Sequence, residues 1–297
     1  MSMELQKLLA WRDLAGPLYG SEDQALFLYS LVKMYRPRTV VELGAGLGVS
    51  SFWIAQALRE NGDGRLFSVD DGCHWQECVI ENPTPKFTEL LRQIRSSEEF
   101  SGVLPEGRVP GYFEFLRALA ALFGVDSQVS FVTARLDLSS LLPKSDAELF
   151  SRLPAKGIDL LYSDFSHGPY AVLALLCQFL PRMAESASIL IDSASTQWQS
   201  YLVLEQTLMQ LNAGKVPAAL LAGADRQRRE TVMEIVATRK FSLSHMIERK
   251  DRAQNGLAWI KMEPVNVVPY PLTAMRAGDG KLTPTATIQD FFQQQGN

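Results

Sequence analysis

The 297-residue chain is poor in cysteine and has no excess of basic charge. Its three cysteines, Cys73, Cys78 and Cys177, are an odd and low count for this length. That argues against a disulfide framework and for a reducing compartment. Lys and Arg number 29 against 33 Asp and Glu, leaving a net charge of -4. Phosphate contacts supply most of the affinity of nucleic-acid binders, so nucleic acid is not an expected partner. The densest basic stretches, Arg226–Arg229 and Arg249–Arg252, are short, lie near acids and read as solvated faces. Long apolar runs are also missing. The longest, Ala171–Leu180, is interrupted by Gln178 and is too short to span a bilayer, so no membrane is expected. The opening MSMELQKLLAWRDLAG carries acids early and lacks the basic-then-apolar order of a signal peptide. A cytoplasmic protein is the expectation.

What is present is an ordinary globular composition, 46% hydrophobic and 21% charged, enough for a real core. Residues 1–36 read as helical, with apolar stripes at Leu5, Leu8, Leu9 and Trp11 and at Leu26, Leu28, Leu31, Val32 and Tyr35. Pro37 closes that segment. Thr39–Leu43 is a short β-branched strand, followed by a glycine-rich turn and a helix over Ser50–Arg59. Arg65–Val69 is the next strand. One strand–helix–strand unit this compact predicts a parallel sheet.

Strands are further expected at Gln128–Thr133, Ile158–Ser163, Ser188–Ile191 and Thr231–Thr238, with a pair at Ser242–Glu248 and Leu257–Met262 joined by the polar turn Arg249–Gly256. Helices are expected after Pro169 and over Tyr201–Ala213. Residues 73–127 are far more than a plain connection needs. They contain helical stretches around Lys86–Arg95 and Tyr112–Phe123, and read as an insertion capping a pocket; a surface excursion is the plainer alternative. The tail from Pro264, with Pro269, Pro271 and Pro284, reads as extended. The whole order predicts an α/β doubly wound fold. The expected organisation is an N-terminal helical segment at 1–37, a central domain at 38–264 and a C-terminal extension at 265–297.

The stretch that carries chemistry is Val41-Glu42-Leu43-Gly44-Ala45-Gly46-Leu47-Gly48-Val49-Ser50. Glycines let a ligand approach the backbone, and the helix start behind them presents unpaired N–H groups. Such a turn can hold a dinucleotide or S-adenosylmethionine (SAM), or can be a turn without a ligand. The dinucleotide spacing is G-x-G-x-x-G, whereas this is G-x-G-x-G with an acid two residues ahead. ELGAGLG closely resembles motif I of class I SAM-dependent methyltransferases, and the whole resemblance spans residues 38–192.

That resemblance implies a mostly parallel, seven-stranded, Rossmann-like sheet, with SAM held at Glu42, Gly44, Ala45, Gly46, Gly48 and Ser50. An acid ending the second strand, Asp70 or Asp71, would grip the ribose hydroxyls, as a carboxylate accepts two charge-assisted hydrogen bonds. Ala134 and Arg135 fall where the family touches adenine. The stretch Asp164-Phe165-Ser166-His167-Gly168-Pro169-Tyr170 looks like a loop of small-molecule O-methyltransferases of the catechol and caffeoyl-CoA type, with Ser166 replacing that loop's second acid. In those relatives the residue matching Asp164 also helps ligate a divalent metal with an Asp-Asn pair; this chain has Asp192-Ser193 there. Mg²⁺ on Asp164 and Asp192 is therefore compatible but not required.

Methyl transfer to a hydroxyl needs alignment, dryness and removal of a proton. His167 is the first candidate for base, being partly neutral at pH 7; a loop histidine bonded to backbone is the alternative. Asp164 is the second candidate, and it also counts among the cofactor contacts. His74 and Trp75 stand directly after the ribose acids. With Cys73 and Cys78 the histidine suggests zinc, but C-x4-C without a second pair argues against it. Trp75 fits over a sulfonium or in the core. His245 reads as structural. Trp198, with Tyr201 and Trp259, could wall the acceptor. The expectation is an enzyme methylating the oxygen of a small molecule, with a homodimer paired through its N-terminal helices and tail. The alternatives are N-methylation of a small amine or amino-acid-derived substrate, a non-catalytic SAM binder, a nicotinamide oxidoreductase lacking the right glycine spacing, and an aminopropyl transferase lacking an acid-rich pocket.

Overall fold

The computed structural model describes residues 3–16, 18, 22–138, 141, 147–194, 196–247 and 256–265. Helices α1 (Met3–Ala15) and α2 (Glu22–Tyr35) precede β1 (Thr39–Leu43), α3 (Val49–Asn61) and β2 (Arg65–Asp70). Residues 73–127 hold a short helix, Cys73–Trp75, running on as Gln76–Glu81, then α4 (Pro85–Ser96) and α5 (Tyr112–Leu122). After β3 (Val129–Thr133) come α6 (Ala147–Arg152), β4 (Ile158–Ser163), α7 (Pro169–Phe179), β5 (Met183–Asp192), α8 (Trp198–Asn212), α9 (Arg226–Thr238), β6 (Arg239–Met246) and β7 (Leu257–Pro264).

The seven strands form one sheet in the order β3-β2-β1-β4-β5-β7-β6. β1 to β5 run parallel, and β7 lies antiparallel between β5 and β6. Successive side chains of a strand face opposite sides, and both sides are covered here. Val40, Leu66 and Leu160 enter a core with α1, α2, α3 and the 73–127 helices. Val41, Leu43, Val69 and Leu161 enter a second core with α7, α8 and α9. Burial on both faces is why these strands read as continuous apolar runs. Residues 73–127 are built into the first core through Trp75, Phe87, Leu90, Ile94, Phe100, Phe115 and Phe123, so they are no surface excursion. Each large side chain fully buried in this way contributes about 1.5–3 kcal/mol.

One expected element differs. Thr231–Thr238, read as a strand from its β-branched residues, is the second half of α9. Asp225 caps that helix by accepting from the N–H of Arg228 at 2.8 Å, and Arg226 pairs with Glu230 one turn on. Val232, Ile235 and Val236 are its buried positions, at helical spacing. Packing on one helical face outweighs the weak strand preference of Thr, Val and Ile. β5 also begins earlier than the apolar run Ser188–Ile191 suggests, at Met183. The proline-containing tail and most of the turn 249–256 lie outside the described residues. Among the described residues, no helix is long and apolar enough to cross a membrane.

Candidate functional site

A cavity of about 410 Å³ opens at the carboxyl edge of β1, β2 and β4. Ligands of open α/β sheets bind at this edge. Its floor is the turn between β1 and α3. Gly44 has φ +88°, and a Cβ there would press on the backbone of Asp164, with the carbonyl carbon 3.0 Å away. A residue with a side chain would therefore drive the β1 and β4 loops apart. Ladder bonds hold both loops close: Gly44 N–H donates to Val69 O, and Asp164 N–H to Leu43 O, each at 2.9 Å.

Asp70 ties the turn to β2. One carboxylate oxygen accepts from the N–H of Ala45 at 2.9 Å and of Gly46 at 3.4 Å. The other accepts from Gly72 N–H at 2.8 Å. Asp71 accepts from Cys73 N–H at 2.9 Å and lies 4.0 Å from the exposed Arg135 guanidinium. Glu42 is fully buried beneath the turn and accepts from the hydroxyls of Ser50, Ser51 and Ser68. Burial pushes its carboxyl above the ordinary range, although the three hydroxyls oppose the shift.

On the β4 side of the turn, Asp164, Phe165 and His167 line the cavity. His167 Nε2 lies 3.7 Å from an Asp164 oxygen. Its Nδ1 is buried without a hydrogen-bond partner among the described residues. The loop is pinned by the Ser200 hydroxyl, which donates to His167 O. Asp192, at the end of β5, is 2% exposed. One of its oxygens accepts from the Gln24 amide at 2.8 Å and the other from the Ser193 hydroxyl at 2.9 Å. Asp164, His167 and Asp192 each offer one donor atom within 4.8 Å of the other two.

Of the residues expected from sequence, Gly44, Ala45, Gly46, Ser50, Asp70, Asp71, His74, Trp75, Asp164 and His167 line this one cavity. Glu42, Gly48, Ala134, Arg135, Asp192 and Trp198 are outside its lining. Glu42 is cut off by Ser50, and Asp192 is covered by Gln24. Trp198 is half exposed and stacks on Tyr201 with ring centres 5.2 Å apart. Trp75 is 3% exposed, stacked 4.6 Å from Phe115, and part of the cavity wall. The same wall contains residues that sequence reasoning missed. Leu18, Gln24, Ala25 and Leu28 come from α2 and the segment before it, and Phe87 and Tyr112 from residues 73–127. α1 is held over the turn by Trp11, whose indole N–H donates to Leu47 O at 3.1 Å. No local pattern marks these positions, because each reaches the site only through tertiary packing.

A doubly wound sheet with a glycine turn after its first strand, an acid closing its second and an Asp/His corner after its fourth defines an α/β enzyme with a nucleotide-type crevice. The chain belongs to a methyltransferase family: the family model described as a methyltransferase domain matches residues 41–194. No curated protein sequence matches the chain. Among solved structures, an O-methyltransferase from Bacillus cereus in complex with SAH is 14% identical, with a TM-score of 0.47, over 89% of this chain and 92% of that one. The O-methyltransferase TomG from Streptomyces achromogenes, involved in tomaymycin synthesis and solved with SAM, is 17% identical, with a TM-score of 0.45, over 89% and 91%.

Proposed function

We propose that this chain transfers the methyl group of SAM to a hydroxyl oxygen of a small molecule. In this reading residues 38–264 form the catalytic domain and the N-terminal helices roof its cavity. The supporting observation is the gathering, in one cavity, of a bare glycine turn after β1 with Asp70 and Asp71 from the β2 tip on one side of it and Asp164 with His167 from the β4 tip on the other. The turn and the two acids hold the methionine tail and the ribose, which directs the sulfonium toward the Asp/His corner. Bound SAM supplies a methyl already activated by positive charge.

The protein's part is alignment, exclusion of water and proton removal. His167 takes the acceptor's hydroxyl proton on its imidazole, and Asp164, 3.7 Å away, stabilises the imidazolium that forms. Leu18, Ala25, Leu28 and Phe87 give the cavity an apolar wall that excludes water. A second reading has its own support. Asp164, His167 and Asp192 have the donor chemistry for a divalent cation, which would acidify the acceptor hydroxyl. Asp192 already has both oxygens satisfied by Gln24 and Ser193, so we favour the metal-independent route.

Calorimetry with SAM and with NAD tests the cofactor, and SAM alone should bind. Release of S-adenosylhomocysteine (SAH) is then measured across a panel of hydroxylated and aminated small molecules, with and without EDTA. Binding of NAD in place of SAM would sink the proposal. Products methylated only on nitrogen would correct the acceptor, and loss of turnover in EDTA would favour the metal route.

A further inference from the structure

Residues 73–127 reach the glycine turn directly. Tyr112 opens α5, and its hydroxyl donates to Gly46 O at 2.8 Å. The start of the helix is fixed from two sides. Glu114 accepts from Gly111 N–H at 3.3 Å and is paired with Arg108. Trp75 donates its indole N–H to Pro110 O at 3.1 Å. The Tyr112 ring lies against Gly72, so closely that a Cβ at Gly72 would sit 2.9 Å from it. Gly72 N–H in turn donates to Asp70, the residue that accepts from Ala45 and Gly46. The turn is thus held on both sides of its peptide planes: Asp70 takes the N–H groups and Tyr112 binds a carbonyl.

We infer that Tyr112 is a positioning residue of the cofactor site, and that residues 73–127 wall the cofactor half of the cavity through it. The inference rests on the reading of this cavity as a SAM site. Glycine peptides rotate easily, so the Gly44–Gly48 backbone needs outside partners to keep its ligand-facing groups aimed. Without the phenol hydroxyl the Gly46 peptide gains alternative orientations, and ligand binding must select among them. Burial, reinforced by the charge of Asp70, pushes the phenol well above its ordinary pKa, so the group remains a donor across the working range.

The test compares wild type with Tyr112→Phe, which removes the hydroxyl and keeps the ring that packs on Gly72 and Trp75. An Arg92→Ala control lies on the exposed side of α4, where Arg92 pairs with Glu89. SAH affinity is measured by calorimetry and folding by thermal melting. The expected result is SAH binding weakened about fivefold or more in Tyr112→Phe, from loss of the part-buried hydrogen bond that aims the Gly46 peptide. The control should bind as wild type, and melting should hold within a few degrees in both variants. Weakening of less than about fivefold in a variant that melts normally would overturn the inference. Equal weakening in Arg92→Ala would overturn it too, by showing a general loosening of residues 73–127. Failure of wild type to bind SAH is a different result: it removes the cofactor reading itself. If Tyr112→Phe melts poorly, SAH calorimetry at lower temperature gives the same comparison.

Discussion

The sharpest consequence of the site's geometry concerns Gly44. Alanine there meets two penalties at once. Its φ of +88° is a conformation that side chains other than hydrogen rarely adopt, costing about 1–2 kcal/mol. Its Cβ would also press into the backbone of Asp164, a neighbour that cannot rotate away as a side chain can. Overpacking of this kind costs about 1–3 kcal/mol. Together they place Gly44→Ala about 2–5 kcal/mol below wild type. At roughly 2–4 °C per kcal/mol for a domain of this size, the melting temperature should fall by about 4–20 °C. The functional loss should be larger than the stability loss suggests. Relief of the contact moves the β4 loop, and with it Asp164 and His167, relative to the turn. A displacement of about 1 Å at a reacting centre can cost on the order of 100-fold in rate. Thermal melting, SAH calorimetry and SAH release, measured on one preparation, check the three parts. Wild-type melting with wild-type turnover would refute the packing argument and its link to the Asp164/His167 corner.

Other outcomes follow from neighbouring residues. His167→Gln keeps size and polarity but cannot take up a proton; turnover should drop by about 10²–10⁴-fold, with SAH affinity, read by calorimetry, unchanged. Gln24→Leu removes a donor to the buried Asp192 carboxylate. A hydrogen bond to a charged group is worth about 1.5–3 kcal/mol, so melting should fall by several degrees while SAH affinity stays constant and acceptor KM rises. For Glu42, burial raises the folded carboxyl above its ordinary value of 4.5, so the native state holds the proton more tightly than the unfolded chain. Wild-type stability relative to Glu42→Gln should therefore be greatest below that value and decline as pH rises through the raised folded-state pKa. Urea melts of both proteins across the acid-to-neutral range check the sign, and a rising difference would contradict it.

How much was legible in the sequence varied with how local the information was. The strand–turn–helix at 39–61 announces itself because glycine spacing, the leading acid and the β-branched run are all short-range signals. The strand-ending acids Asp70 and Asp164 were found for the same reason. Thr231–Thr238 was misread because its β-branched content is local, whereas the face that buries Val232, Ile235 and Val236 is not. Gln24 and Tyr112 were out of reach altogether. Gln24 meets Asp192 across 168 positions, and Tyr112 meets Gly46 across 66. No spacing rule connects such partners. The role of Glu42 was only half legible: the motif marks the position, but its distance from the cavity depends on three serines, two of them on α3 and one on β2.

Part of the cavity wall is drawn from stretches that take no part in the sheet: Leu18, Gln24, Ala25 and Leu28, and Phe87 on α4. The proposed reaction chemistry at the strand tips and this wall thus come from separate pieces of chain. Gln24 is tied to a strand tip through Asp192, whereas Leu18, Ala25 and Leu28 meet the cavity with apolar side chains that can be exchanged while that bond stays. A scaffold divided in this way can change what its cavity admits by redecorating part of its ceiling while its foundations stay as they were.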